Sequence, residues 1–122
     1  MNTDFYKVCA QSVMIRGLLN DAQQDLKIFP ILAPSGVNYP YIKYQTISAN
    51  AWSSLNNNDV AYSVRIQINI YSKSYQDAID IFAAIRNEFK DLARIQFNHE
   101  DYDSNAFVYD YCFDLTFIQD VD

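Results

Sequence analysis

The sequence predicts an α+β domain: a mainly antiparallel sheet of four to five strands with two helices packed on one face, in the order α-β-β-β-α-β-β. Three observations carry this. Val60, Tyr62, Val64, Ile66, Ile68 and Ile70 alternate with Ser63, Arg65, Gln67 and Asn69 between them, the period of a half-buried strand. Directly afterwards Ala78, Ile81, Phe82, Ile85, Phe89 and Leu92 recur three and four residues apart, the spacing of an amphipathic helix. Near the end, Phe107, Tyr109, Tyr111, Phe113, Leu115 and Phe117 alternate with Val108, Asp110, Cys112, Asp114 and Thr116, a second long strand.

The elements follow in chain order. From Thr3 to Asn20 the residues Phe5, Val8, Cys9, Ile15, Leu18 and Leu19 suggest one helix, with Thr3 as N-cap and Asp4 placed well against the helix dipole. Gly17 inside it either admits another backbone or marks fraying. Ile28 to Leu32 is a short apolar run interrupted by Pro30, which suits an edge strand or extended segment. Pro34, Ser35 and Gly36 supply a turn, and Tyr41 to Ile47 is rich in aromatic and β-branched residues, hence a strand. Ser48 to Asp59 is rich in Ser, Ala and Asn and is expected to be a long exposed loop bearing Trp52. Ser74 to Asp77 resembles a capping box, so the second helix is expected from Tyr75 to Leu92. Ala93 to Phe97 is expected to be a short strand, and His99 to Asn105 a polar turn.

Residues 1–122 fit a single domain, large enough to bury a core without staples. Nine Lys and Arg against fifteen Asp and Glu give a formal charge of −6, which argues against binding nucleic acid by neutralising phosphates. The N-terminus lacks the pattern of a signal peptide, and no segment approaches the ~20 apolar residues that span a bilayer, so a soluble protein without a membrane partner is expected. Cys9 and Cys112 read as buried thiols of a reducing compartment, their pairing left open. Ten Tyr and eight Phe either fill strands or serve contacts between subunits.

No constellation points to catalysis, a metal or a cofactor. Asp101-x-Asp103-x-Asn105 imitates the start of a calcium loop, but Ala106 stands where the sharp-turn glycine belongs and Cys112 where the closing Glu belongs. His99 is the single histidine and has no partner at metal-ligand spacing. Gly17 and Gly36 form no phosphate loop, and the basic residues are scattered singly.

One mismatch points toward assembly. Two strands of about 40 Å outrun a helix of about 27 Å, leaving apolar ends and free edges that neighbouring subunits are expected to cover. The expected contact residues are Trp52, Asn56, Asn57 and Asn58 on the loop, and Val60 and Tyr62 where the strand begins.

Tyr39-Pro40-Tyr41-Ile42-Lys43-Tyr44-Gln45, then the Trp and Asn segment, then Val64-Arg65-Ile66-Gln67-Ile68-Asn69-Ile70-Tyr71-Ser72-Lys73-Ser74-Tyr75 leading to Ala78 and Ile85-Arg86, together resemble a known family. It is that of the small tail-completion proteins of long-tailed bacteriophages, also described as tail terminators or head-to-tail joining proteins. The pattern covers nearly the whole chain, although Ile28 to Leu32 replaces the glycine-led turn that often precedes the Pro in that family. The resemblance implies a non-enzymatic virion protein at the tail-neck junction, assembled in the host cytoplasm. It implies partners too: further copies of itself in a ring, usually a hexamer, the tail tube protein and the neck connector, with DNA only as passing cargo. Asp110 and Asp114 would then face the lumen, unless they pair across strands with Arg65 or line a solvated face.

Two other readings compete. A monomeric acidic α+β binding or inhibitor module would use acidity and exposed Tyr against a basic protein partner. A small hydrolase would depend on His99.

Overall fold

The computed structural model describes residues 5–53 and 60–121, with the side chains of 50–53, 60–62 and 118–121 outside the description. It is the expected α+β arrangement, with three helices rather than two: α1 (Phe5–Ala10), α2 (Val13–Leu19), β1 (Ile28–Pro30), β2 (Tyr41–Ser53), β3 (Val60–Ser72), α3 (Tyr75–Phe89), β4 (Arg94–Asp103) and β5 (Val108–Val121). The five strands form one sheet in the order β1-β2-β3-β5-β4, antiparallel except where β1 runs parallel to β2.

The first helix is split in two. Val13, one turn after Cys9, would lie on the buried face of one continuous helix, yet it is 88% exposed. Ser12 is buried instead, and its hydroxyl accepts the N–H of Ile15 at 3.2 Å, capping α2 and restarting the helix there. The proposed Thr3 cap lies outside the described residues. Gly17 is exposed, and nothing approaches within 4 Å of where a Cβ would sit, so close backbone approach is not its role. At Ser74 the cap is as expected, its Oγ accepting the Asp77 N–H at 3.2 Å, and α3 ends at Phe89.

The core lies between the three helices and one face of the sheet. Ile66, Ile68 and Ile70 from β3, and Tyr111, Phe113, Leu115 and Phe117 from β5, pack under Ile81, Ile85 and Phe89 of α3 and under Phe5, Cys9, Ile15 and Leu19 of α1 and α2. Phe89 meets Phe5 at 5.4 Å and Phe117 at 5.9 Å between ring centroids, joining both helical groups to the sheet. Burial of this kind contributes about 25 cal/mol per Å² of apolar surface.

Two strands are longer than the composition suggested. The segment read as a loop from Ser48 belongs to β2 as far as Ser53, paired residue by residue with β3 from Val60. It was hidden because Ile47 is bulged out between Thr46 and Ser48, which reverses the alternation, and because Ser, Ala and Asn carry little strand signal. Likewise the polar turn expected at His99 is strand, with β4 running to Asp103 and the turn falling at Ser104 to Phe107. A bulge at Asn98 and exposure along nearly the whole strand erase the period there.

At about 1.5 Å per residue α3 spans about 22 Å, whereas the 13 residues of β3 span about 43 Å at about 3.3 Å each. The helix reaches Phe117 through Phe89. Beyond that level β2, β3 and β5 continue together, Asn50 to Ser53 against Val60 to Ser63 and these against Ile118 to Val121. β1 and β4 have no register positions there, so the sheet narrows to a three-stranded extension.

Candidate functional site

The face of the sheet opposite the helices carries no covering element among the described residues, and its side chains form ordered cross-strand rows. From the extension toward the other end these are Ser48, Arg65, Thr116 and Arg94; then Gln45, Gln67, Asp114 and Gln96; then Lys43, Asn69, Cys112 and His99; then Tyr41, Tyr71, Asp110 and Asp101. Strand alternation puts these residues on the face that the isoleucines of β3 avoid.

The middle rows are a closed polar network. Arg65 Nε lies 2.8 Å from Asp114 Oδ2, and Asn98 Nδ2 donates to Asp114 Oδ1 at 2.6 Å. Gln67 Nε2 donates to Cys112 Sγ at 3.0 Å, Asn98 reaches the same sulfur at 3.7 Å, and Asn69 Nδ2 donates to Asp110 Oδ1 at 2.9 Å. Long polar side chains therefore roof the shorter ones, and Asp114 and Cys112 are 2% and 0% exposed on a face with no helices. Asp114 accordingly cannot present charge to a lumen: it is buried and ion-paired with Arg65, the cross-strand pairing that the sequence left open. Asp110 is half-buried and stays near the surface.

The two ends of the face differ in charge. At one end Asp101, Asp103 and Asp110 surround a shallow depression of about 340 Å³ with Tyr39, Tyr41 and Tyr71. The rings stack in series, Tyr39 on Tyr41 at 5.4 Å and Tyr41 on Tyr71 at 5.2 Å, with Lys73 Nζ 5.6 Å from the Tyr39 ring and Lys43 Nζ 5.1 Å from the Tyr71 ring. Burial, and then the Asp110 carboxylate, push the Tyr71 hydroxyl up to about 12. Burial, Tyr39 and Asp110 raise Tyr41 in the same way. At the other end Arg65, Arg94 and Lys90 line a groove of about 670 Å³ with Ser48, Gln96 and Thr116.

Trp52 is in β2 opposite Ala61, Val60 opposite Ser53 and Tyr62 opposite Ala51, all in the three-stranded extension. Asn56, Asn57 and Asn58 lie outside the described residues. The extension thus brings Trp52, Val60 and Tyr62 into one backbone ladder, well away from Asp110. Asp103, read as a calcium-loop mimic, instead accepts the N–H groups of Asn105 at 2.9 Å and Ala106 at 3.2 Å to close the β4–β5 turn. His99 Nε2 is 3.4 Å from Asp101 Oδ2, both exposed on β4. Cys9 and Cys112 are buried on opposite sides of the sheet, the first in the core and the second in the polar network.

Residue reading missed Asn98 and the tyrosine series. Asn98 gave no signal because bulges have none in a strand exposed on both faces. The series was visible as alternate tyrosines at 39 and 41, with Tyr71 added only by register. Among the described residues no group of three or more His, Cys, Asp or Glu could hold a metal, and no helix is long and apolar enough to cross a membrane. What the face supplies is hydrogen-bonding groups and charge fixed in position. Comparison with protein-family models finds none that matches the chain, and comparison with curated proteins finds no match either.

Proposed function

We propose that the chain is a structural assembly protein of the bacteriophage tail-completion kind, whose copies form a ring that caps the tail tube and joins it to the neck connector. The ring would have six members if it follows the family that the sequence resembles. It would act at the tail-neck junction of the virion after assembly in the host cytoplasm, without turnover chemistry.

The observation that carries this reading is the three-stranded extension of β2, β3 and β5 beyond the helical layer. Among the described residues no element pairs with its edges or lies over it; a narrow sheet of this kind is unfavourable in isolation, and packing against copies of itself or against a tube end relieves it. Support also comes from Ile31 and Leu32, left 71% and 77% exposed just past the edge strand β1. The charge of −6 suits a conduit that DNA slides through without sticking.

The test is electron microscopy of the purified chain mixed with tail tubes that lack their terminal ring. Rings seated on tube ends are expected. Tubes that stay bare and keep elongating would count against the proposal, and a one-to-one complex with a basic protein, formed by a monomer, would favour the inhibitor reading instead.

A further inference from the structure

Among the described residues β4 is an edge strand: β5 takes one edge, and no described strand takes the other. All ten residues are exposed except Ile95, which is half-buried, and Phe97 and Tyr102 are each 48% exposed. Edges of this length are usually shortened, covered or charged to prevent pairing. This one is charged, but unevenly: Arg94 opens it and Glu100, Asp101 and Asp103 end it. We propose that β4 pairs antiparallel with β4 of a second copy about a twofold axis between Asn98 and His99, making one sheet continuous through both protomers.

The pattern is self-complementary in this full-length register. Arg94 falls opposite Asp103 of the other copy, Ile95 opposite Tyr102, Gln96 opposite Asp101, Phe97 opposite Glu100, and Asn98 opposite His99. The twofold axis repeats every pair, so two Arg–Asp contacts close the two ends. Apolar Ile95 and Tyr102 meet on the helix side.

The bulge at Asn98 is what makes the faces match. Arg94 and Gln96 before it and His99, Asp101 and Asp103 after it sit opposite even-numbered β5 residues, whereas Ile95, Phe97, Glu100 and Tyr102 sit opposite odd-numbered ones. Four of the five pairs join two residues of the same set, so their side chains share a face and their outward backbone groups share an orientation; in the fifth, at the axis, the bulged Asn98 turns its amide to Asp114 and Cys112, the face that His99 also occupies. A slip of one residue destroys both matches. Parallel pairing in register would set Asp101 against Asp101 and Asp103 against Asp103, which like charges disfavour.

The inference stands apart from the ring reading, because it uses the outer edge of β4 and that reading rests on the extension of β2, β3 and β5, in which β4 has no register position. Equilibrium sedimentation of the full chain tests it through Arg94→Glu, Asp103→Asn and the two combined. Asn at 103 keeps the oxygen that accepts the turn N–H groups, so that role is preserved. At concentrations below those at which larger oligomers form, a dimer is expected for the unaltered chain. Arg94→Glu should weaken it by about tenfold or more, by setting like charges opposite each other at both ends, and Asp103→Asn alone should weaken it by less. Added to Arg94→Glu, however, Asp103→Asn should strengthen the dimer, a reversal of sign that loss of a merely structural residue does not produce. An equal effect of Asp103→Asn in both backgrounds, or a chain that stays monomeric as it is concentrated, overturns the pairing. A chain with no β4-dependent dimer that still forms rings on tube ends overturns the pairing while leaving the proposed function in place.

Discussion

Arg65 and Asp114 meet diagonally across β3 and β5, guanidinium Nε to carboxylate Oδ2 at 2.8 Å, with the arginine side chain 50% exposed and the aspartate 3%. The carboxylate is the buried partner and depends on the pair. Arg65→Ala should therefore destabilise the protomer by a large part of the about 3–5 kcal/mol typical of breaking a fully buried pair. Asp114→Asn should cost less, because the amide keeps an acceptor while removing the charge. Urea denaturation of both variants checks the order, and equal stability of Arg65→Ala and the unaltered protein would contradict it.

Tyr71 predicts an alkaline weak point. Its hydroxyl is raised from 10.0 to about 12, mainly by burial and then by Asp110, so the folded state holds the proton more tightly than the unfolded chain. The resulting stability is complete below about 10 and is lost as pH rises from about 10 through about 12. Thermal melts across this range should show a fall that is shallower in Tyr71→Phe. Superimposable pH profiles for the two proteins would refute the assignment.

Ser74 and Ile68 should separate local from global contributions. Ser74→Ala removes the acceptor for the Asp77 N–H and should cost about 1 kcal/mol. Ile68 is 0% exposed in the middle of the sheet, and Ile68→Asp places a carboxylate among apolar side chains. That costs several kcal/mol against a total stability of about 5–15 kcal/mol, so no cooperative thermal transition should remain. A cooperative melt of Ile68→Asp near the original temperature would mean that the core is misplaced.

How much of this was legible depended on burial contrast. β3, β5 and α3 each have one buried and one open side, and their periods stand out in the residues. The break between α1 and α2 was not legible, because Val13 falls one turn after Cys9 and keeps the apolar spacing of a single helix, although it is exposed. β4 alternates only as far as Phe97, the part read as a short strand; beyond the bulge at Asn98 it is exposed throughout and shows no period. The site was half visible. Arg65 and Asp114 could be named as a cross-strand pair, but the hydrogen bond from Asn98 that completes the surroundings of the buried Asp114 is a property of register. Parallel pairing of β1 with β2 left no trace in composition.

Trp52 should matter to assembly rather than to the fold. Its backbone pairs with Ala61 in the extension, beyond the level where Phe89 packs on Phe117. Trp52→Ala is expected to leave the melting temperature of the isolated protomer within a few degrees while reducing ring formation, measured together by calorimetry and by light scattering. A drop of many degrees with normal assembly would make Trp52 a core residue.

Sedimentation velocity of the full chain at rising concentration tests the central claim most directly, since a three-stranded extension that no described element covers predicts copies covering one another. A closed oligomer larger than a dimer, appearing as concentration rises or when tail tube ends are added, is the predicted result. A chain that never exceeds a dimer under either condition would contradict the account.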